Sequence, residues 1–229
     1  MQSPSRYNIY EVVHKALRAR LSRSLVAIGQ LDAEEPACVH DVVAEVRTTL
    51  AMMRGHLASE NDFVHVAMEA RAPGSTRRIA DEHVHHERDI AVLEEACGAL
   101  LDAPTAQRAA LASRLYVLFD LFLQDNFVHM RYEEDNHNAV LWAAYGDEEI
   151  LAIEHALVAA IPPEKKALFV HSMIPAIPTR DRAKVLGGMR AAAPPEVFAG
   201  IYAAMASLLD EGARQRLADA LDAQVGVAA

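Results

Sequence analysis

Residues 53–62 read MRGHLASEND and place His56 and Glu60 four positions apart. A second stretch, FVHMRYEED at residues 127–135, repeats this spacing with His129 and Glu133. Residues four apart on a helix share one face and lie about 6 Å from each other. Each pair can therefore direct one imidazole and one carboxylate at a common point. Two such pairs on two helices predict a helical protein with a metal site in its core.

Four long helices are predicted around these pairs, because apolar residues recur at helical spacing and proline or glycine interrupts the chain between them. They cover residues 7–31, 38–71, 76–101 and 105–138, with Gly146 as the outer limit of the fourth. No segment shows sustained alternation of apolar and polar residues, so strands are not predicted. Long helices with short joints are typical of an antiparallel up-down-up-down four-helix bundle. The predicted fold class is all-α, with this bundle followed by an additional small helical C-terminal subdomain.

The chain after Gly146 differs from the first part in its regularly spaced prolines. Pro162, Pro178 and Pro194 stand 16 residues apart, and each precedes a segment of similar length. Proline suits the first turn of a helix, so short helices are predicted there. We assign residues 1–145 to the metal-binding bundle and residues 146–229 to the C-terminal subdomain. The second segment carries no chemistry of its own and is a candidate surface for a protein partner or a homodimer.

Composition excludes several classes of protein. The chain has 229 residues, 52% of them hydrophobic, and a net charge of −10, so a buried core is expected and a nucleic-acid surface is not. No apolar run reaches the roughly 18 residues that span a bilayer. Residues 1–13 show no secretory signal, and two cysteines, Cys38 and Cys97, provide no disulfide framework. We expect a cytoplasmic protein that contacts neither nucleic acid nor membrane.

Further histidines fall at compatible heights along the predicted helices. His14 lies 17 residues before Leu31 and His56 lies 18 after Cys38, so both are about 26 Å from the first joint. His86 and Glu60 agree within one turn around the second joint. His86 and His129 differ by about 10 Å around the third, which requires a longer loop or a staggered helix. The predicted set of metal ligands comprises seven residues: His14, His56, Glu60, His83, His86, His129 and Glu133.

A metal explains why such groups would be buried. Each buried polar group costs several kcal/mol without a partner, whereas a cation keeps carboxylates ionised and imidazoles neutral. Mixed imidazole and carboxylate ligands suit iron, with manganese or zinc as possible substitutes. Two carboxylates on opposed helices are well placed to bridge two ions.

The ordered pattern H…HxxxE…H…HxxxE resembles the hemerythrin HHE cation-binding family. The resemblance covers roughly residues 7–140, through YEVVHKALR at 10–18, MRGHLASEND at 53–62, ADEHVHHERDI at 80–90 and FVHMRYEED at 127–135. It implies a four-helix bundle that holds a non-haem diiron centre, with Glu60 and Glu133 as the bridging carboxylates.

The third helix departs from the oxygen-carrying members, which have HxxxH there and HxxxxD on the fourth helix. His83 and His86, three apart, still share a face, and Glu87 could ligate in place of His86. His137 is a candidate for an outer position, Tyr10 for a place beside the metals, and Asp125 for orienting His129. These departures weigh against reversible oxygen carriage.

Three functions follow from these residues. The first is a protein in which two ferrous ions bind or sense O2, NO or peroxide. The second is a diiron oxidase or a peroxide-consuming enzyme, so enzymatic activity stays open. The third is an interaction or scaffold protein with a structural metal, such as zinc.

Overall fold

The structure is a computed structural model that describes residues 6–227, and these residues form helices and no strands, which confirms the predicted all-α class. The helices are α1 (Glu11–Gly29), α2 (Pro36–Ser59), α3 (His65–Arg71), α4 (Arg77–Asp102), α5 (Thr105–Tyr132), α6 (Asn138–Ala144), α7 (Asp147–Ala160), α8 (Pro163–Ala176), α9 (Thr179–Ala192), α10 (Pro195–Ala206) and α11 (Glu211–Val227). None of the helices in this part of the chain combines the length and the apolar character needed to cross a bilayer.

Two short π-helical turns join pairs of these helices without a break. The first, Glu60–Val64, connects α2 to α3, and the second, Glu133–His137, connects α5 to α6. The predicted second and fourth helices are therefore continuous, but each contains a local widening of the backbone. Each widening begins at the glutamate of an HxxxE pair.

Short loops connect the long helices, and one side chain stabilises the loop before α4. In the loop between α3 and α4, Gly74 adopts φ +83°, a conformation that side chains rarely tolerate. The Glu69 carboxylate accepts hydrogen bonds from the backbone N–H groups of Gly74 and Thr76 and from the Thr76 hydroxyl. These bonds satisfy donors at the start of α4 that have no partner within the helix.

Contacts between atoms divide the chain into two compact units, residues 1–162 and 163–229. In the first unit α1 packs against α2 and α5, and α4 packs against the same two helices. The four long helices thus form a closed ring of contacts around a buried interior. Fully buried apolar side chains line it from every helix: Leu17, Leu21, Leu50, Leu57, Ile90, Leu93, Leu115 and Phe119.

The first unit ends later than the boundary predicted at residue 145. Helix α7 belongs to it, because Ile150 is completely buried in a cluster with Tyr10, Met68 and Leu141. Helix α6 ends at Ala144, within the predicted outer limit of Gly146, but the apolar side of the next helix packs back onto the same unit. A helix break is therefore not a domain boundary here.

The second unit has its own core. Helix α9 packs against α11 and α10, and the buried cluster includes Ile174 on α8, Leu186 on α9 and Leu217 on α11. Helices α8, α9 and α10 begin at Pro163, Thr179 and Pro195, as the proline spacing predicted.

Candidate metal centre

The two glutamates of the HxxxE pairs lie at the centre of the first unit. The exposed fraction is 2% for Glu60 and zero for Glu133. Each is the first residue of a π-helical turn, at the point where the preceding helix widens. A carboxylate is rarely buried so completely without partners that satisfy its charge.

Two histidines face these carboxylates from one side. His56 Nε2 lies 3.2 Å from Glu60 Oε1. His14 Nε2 on α1 lies 3.4 Å from Glu133 Oε2 and 3.8 Å from Glu60 Oε1. Ligand atoms of these four residues all lie within 4.8 Å of one another, so the group could hold one metal ion.

Two other histidines face the same carboxylates and form a second group. His129 Nε2 lies 3.4 Å from Glu133 Oε2. His83 Nε2 on α4 lies 3.4 Å from Glu60 Oε2 and 3.9 Å from Glu133 Oε1. These four residues also offer ligand atoms within 4.8 Å of one another. Both glutamates therefore belong to both groups, and each group contributes two histidines of its own.

The donor atoms of this cluster lack hydrogen-bond partners. All four carboxylate oxygens of Glu60 and Glu133 are buried without one, and so are the Nε2 atoms of the four histidines named above. Buried polar atoms in native proteins are nearly always satisfied. Eight convergent unsatisfied atoms of this kind fit a bound cation, for which they are suitable ligands.

Neighbouring side chains orient three of the four imidazoles. His129 Nδ1 lies 2.8 Å from Glu82 Oε2, and His83 Nδ1 lies 2.8 Å from Asn61 Oδ1. His14 Nδ1 lies 3.1 Å from Glu134 Oε1. When each Nδ1–H donates to its oxygen, the Nε2 lone pair is left free and points at the carboxylates. This arrangement is typical of metal-binding histidines.

In the metal-free protein, protons partly balance the charge of the buried carboxylates. Burial lowers the pKa of His14, but the hydrogen bond to Glu134 and the nearby carboxylates of Glu60 and Glu133 outweigh it and raise the pKa to about 9. Burial also lowers the pKa of His83, but the nearby carboxylates of Glu133 and Glu60 outweigh it and raise the pKa to about 9. Burial, together with the charge of Glu60, raises the pKa of Glu133 to about 8. These three groups therefore share protons near neutral pH, since Glu133 raises the pKa of His83 only while Glu133 is itself ionised.

The other two imidazoles are already in the form that binds a cation. Burial lowers the pKa of His56 to about 4 and that of His129 to about 2. Both side chains are consequently neutral near pH 7, and only the protons on the first three groups need to leave when a metal binds.

His86, which was predicted as a ligand, lies outside both groups. Its Nε2 lies 3.0 Å from Asp125 Oδ2, so Asp125 pairs with His86 and not with His129. The His86 ring nevertheless lies 4.6 Å from that of His129, although the loop between α4 and α5 contains only Ala103 and Pro104, so the predicted offset does not separate them. His83 lies equally near, with ring centroids 5.0 Å apart, and its Nε2 faces Glu60 and Glu133. Glu87, the alternative ligand, instead forms a surface ion pair with Arg54, Nε to Oε2 3.0 Å.

Two more buried histidines adjoin the centre. His65 and His137 form a third group with Glu133, again with ligand atoms within 4.8 Å of one another. His137 is the residue predicted for an outer position, whereas the sequence pattern did not point to His65. His65 is five residues after Glu60, and such a spacing reaches the same side of a helix only through a π-helical turn.

Tyr10 reaches this third group, in agreement with its predicted place beside the centre. Its side chain is 2% exposed, and its hydroxyl lies 3.2 Å from His137 Nδ1. Burial and the charges of Glu133 and Glu60 raise the pKa of Tyr10 well above its usual value, so the phenol keeps its proton.

Comparisons of the chain with known protein families, with curated proteins and with solved structures found no match.

Proposed function

We propose that this chain is a metal-binding protein that holds two ions between its four long helices. The observation that carries the proposal is the sharing of Glu60 and Glu133 by both four-residue groups. A carboxylate that faces two separate pairs of imidazoles is suited to bridge two cations. The buried, unpartnered oxygens and imidazole nitrogens supply the donors.

An antiparallel bundle supports such a centre. The ring of contacts among α1, α2, α4 and α5 agrees with an up-down-up-down arrangement, since short loops connect successive long helices. Dimetal sites in other bundles likewise use side chains that project inward from facing helices.

The ions are proposed to be iron, in a centre like that of the hemerythrin family. Two imidazoles combined with carboxylate oxygens form a donor set that suits ferrous iron and leaves coordination positions open. When bound, iron would supply those open positions and the electrons for a reversible interaction with O2, NO or peroxide. The chain's own residues keep the donors dry, hold them at fixed positions and orient the imidazoles.

Because His86 lies outside both groups, each ion would be held by two histidines and the shared carboxylates. Such a donor set would leave open positions at both ions, which supports the proposed binding of a small ligand.

Spectroscopy of the ferrous protein tests this function. We expect anaerobic addition of NO to the iron-loaded protein to change its absorption spectrum, and removal of NO to reverse the change. An unchanged spectrum would contradict ligand binding. Sustained consumption of peroxide that His56→Ala abolishes would instead favour the enzymatic alternative.

A further inference from the structure

His65 and His137 are buried histidines that the two four-residue groups do not include. Their exposed fractions are 6% and 1%, and the Nε2 atom of each lacks a hydrogen-bond partner. Glu133 is the one residue that their group shares with the other two. The two imidazoles lie close together, with ring centroids 5.4 Å apart, and His65 stacks on His83 at 5.1 Å.

The hydrogen bond from the Tyr10 hydroxyl determines which ring nitrogen of His137 carries the proton. Within residues 6–227, the hydrogen-bond partner found for this hydroxyl is His137 Nδ1, at 3.2 Å. A buried O–H without an acceptor costs about 1–3 kcal/mol. If the hydroxyl donates to Nδ1, that cost disappears, and the neutral imidazole must then carry its proton on Nε2. If Nδ1–H donated instead, both the O–H and the Nε2 lone pair would be left unsatisfied.

A protonated Nε2 is a hydrogen-bond donor and offers no lone pair to a cation. A third dication would also add two positive charges to a buried region whose carboxylates are Glu60 and Glu133. Both arguments oppose a third metal position at His65 and His137. They favour a partner that accepts a hydrogen bond and carries negative charge.

We propose that the Nε2–H of His137, with His65 beside it, forms a subsite for the hydrogen-bond-accepting atom of a small anionic ligand bound next to Glu133. Polar atoms of His65, His137 and Glu133 lie within 4.8 Å of one another, so only a small group fits beside the Nε2–H of His137. The subsite therefore selects a small anion. The binding of an anion at this subsite rests on the proposed two-ion centre. The position of the proton on His137 does not rest on it.

Nitrogen-15 NMR of the metal-free protein tests the tautomer. We expect the His137 signals to show a protonated Nε2 and an unprotonated Nδ1. In Tyr10→Phe this preference should be lost, because the hydroxyl that satisfies Nδ1 is removed. A proton on Nδ1 in the unaltered protein would overturn the inference, whatever the metal content of the protein is.

Azide binding to the iron-loaded ferric protein tests the subsite. We expect His137→Leu to weaken azide binding about tenfold or more, the size of one hydrogen bond to a charged acceptor, while both irons are retained. His137→Gln should recover most of the affinity, since its amide N–H can reach the position of Nε2. His40→Leu, an exposed histidine on α2, serves as the control and should bind azide normally.

Three results would overturn the subsite. One is an unchanged azide affinity in His137→Leu, and another is the same loss in the leucine and glutamine variants. The third is the loss of a metal ion from His137→Leu, which would make the residue a ligand. Failure of the unaltered protein to hold two irons would count against the proposed function instead.

Discussion

Glu60 and Glu133 each contact imidazoles from helices on both sides of the centre, whereas every histidine faces only one group. Loss of a glutamate should therefore disturb both positions, and loss of a histidine should disturb one. The histidines also differ among themselves. His56 Nε2 lies 3.2 Å from Glu60, whereas His86 pairs with Asp125 and lies outside both groups.

We predict that His56→Ala lowers the metal content from two ions to one and that His86→Ala keeps both. The first variant removes an imidazole donor from one group, whereas the second removes a side chain outside both groups. Metal analysis of the two purified variants provides the measurement. An equal loss in both would restore His86 to the set of ligands and contradict the assignment.

The protons on His14 and His83 predict a pH dependence. Their pKa values of about 9 in the metal-free protein exceed the usual 6.5. Their contribution to the stability of the metal-free protein is therefore complete below about pH 6.5 and is lost as the pH rises through about 9. A metal ion must displace the same protons, so its apparent affinity should rise over this window.

Chelator competition between about pH 7 and pH 9 measures that affinity, and melting curves of the metal-free protein over the same range measure the loss of stability. A metal affinity that does not change with pH would show that neither imidazole carries a displaceable proton.

The HxxxE pairs could be recognised from the sequence because residues four apart lie on the same face of a helix. The choice among His83, His86 and Glu87 could not be made, since all three lie within one turn. It depends on the Asp125 carboxylate that pairs with His86 and on the surface ion pair that occupies Glu87.

At the scale of elements, both glutamates stand where an α-helix changes to a π-helical turn. Such turns insert one extra residue while the flanking helix keeps its direction, and they occur frequently at functional sites. In α2 and α3 the extra residue lets His56, Glu60 and His65 all point inward. Periodicity predicts an unbroken helix for residues 38–71, and this is why His65 escaped detection.

Deletion of Asp62, an exposed residue within the first π-helical turn, should convert the turn to regular α-helix. We expect the helical circular dichroism signal to persist and the metal affinity to fall by about tenfold or more, the effect typical of misplaced ligand supports. Asp62→Ala keeps the residue count and should bind metal normally. Normal binding by the deletion variant would show that the turn is irrelevant to the centre.

At the scale of the whole molecule, the metal centre and the C-terminal helices belong to different compact units. The four long helices and the C-terminal helices were predictable from proline and glycine positions. The assignment of α7 was not, because it depends on the burial of Ile150 against residues far away in sequence.

A chain that ends at Pro162 should fold by itself and keep its full metal content. The first unit has its own buried core, and all six residues of the two four-residue groups lie within it. Thermal melting with and without metal, compared with a chain that ends at residue 145, tests this prediction. The shorter chain lacks α7 and exposes the cluster around Ile150, so it should melt at a lower temperature. Equal melting temperatures would contradict the assignment of α7.

The most direct test of the two-ion centre is the metal content of protein purified with iron under reducing conditions, combined with its near-ultraviolet absorption after oxidation. We predict two irons per chain and an absorption band typical of an oxygen bridge between ferric ions. Glu60→Gln should lose both irons and, with them, the band. One zinc ion per chain, or two irons that Glu60→Gln retains, would contradict the bridged pair of ions.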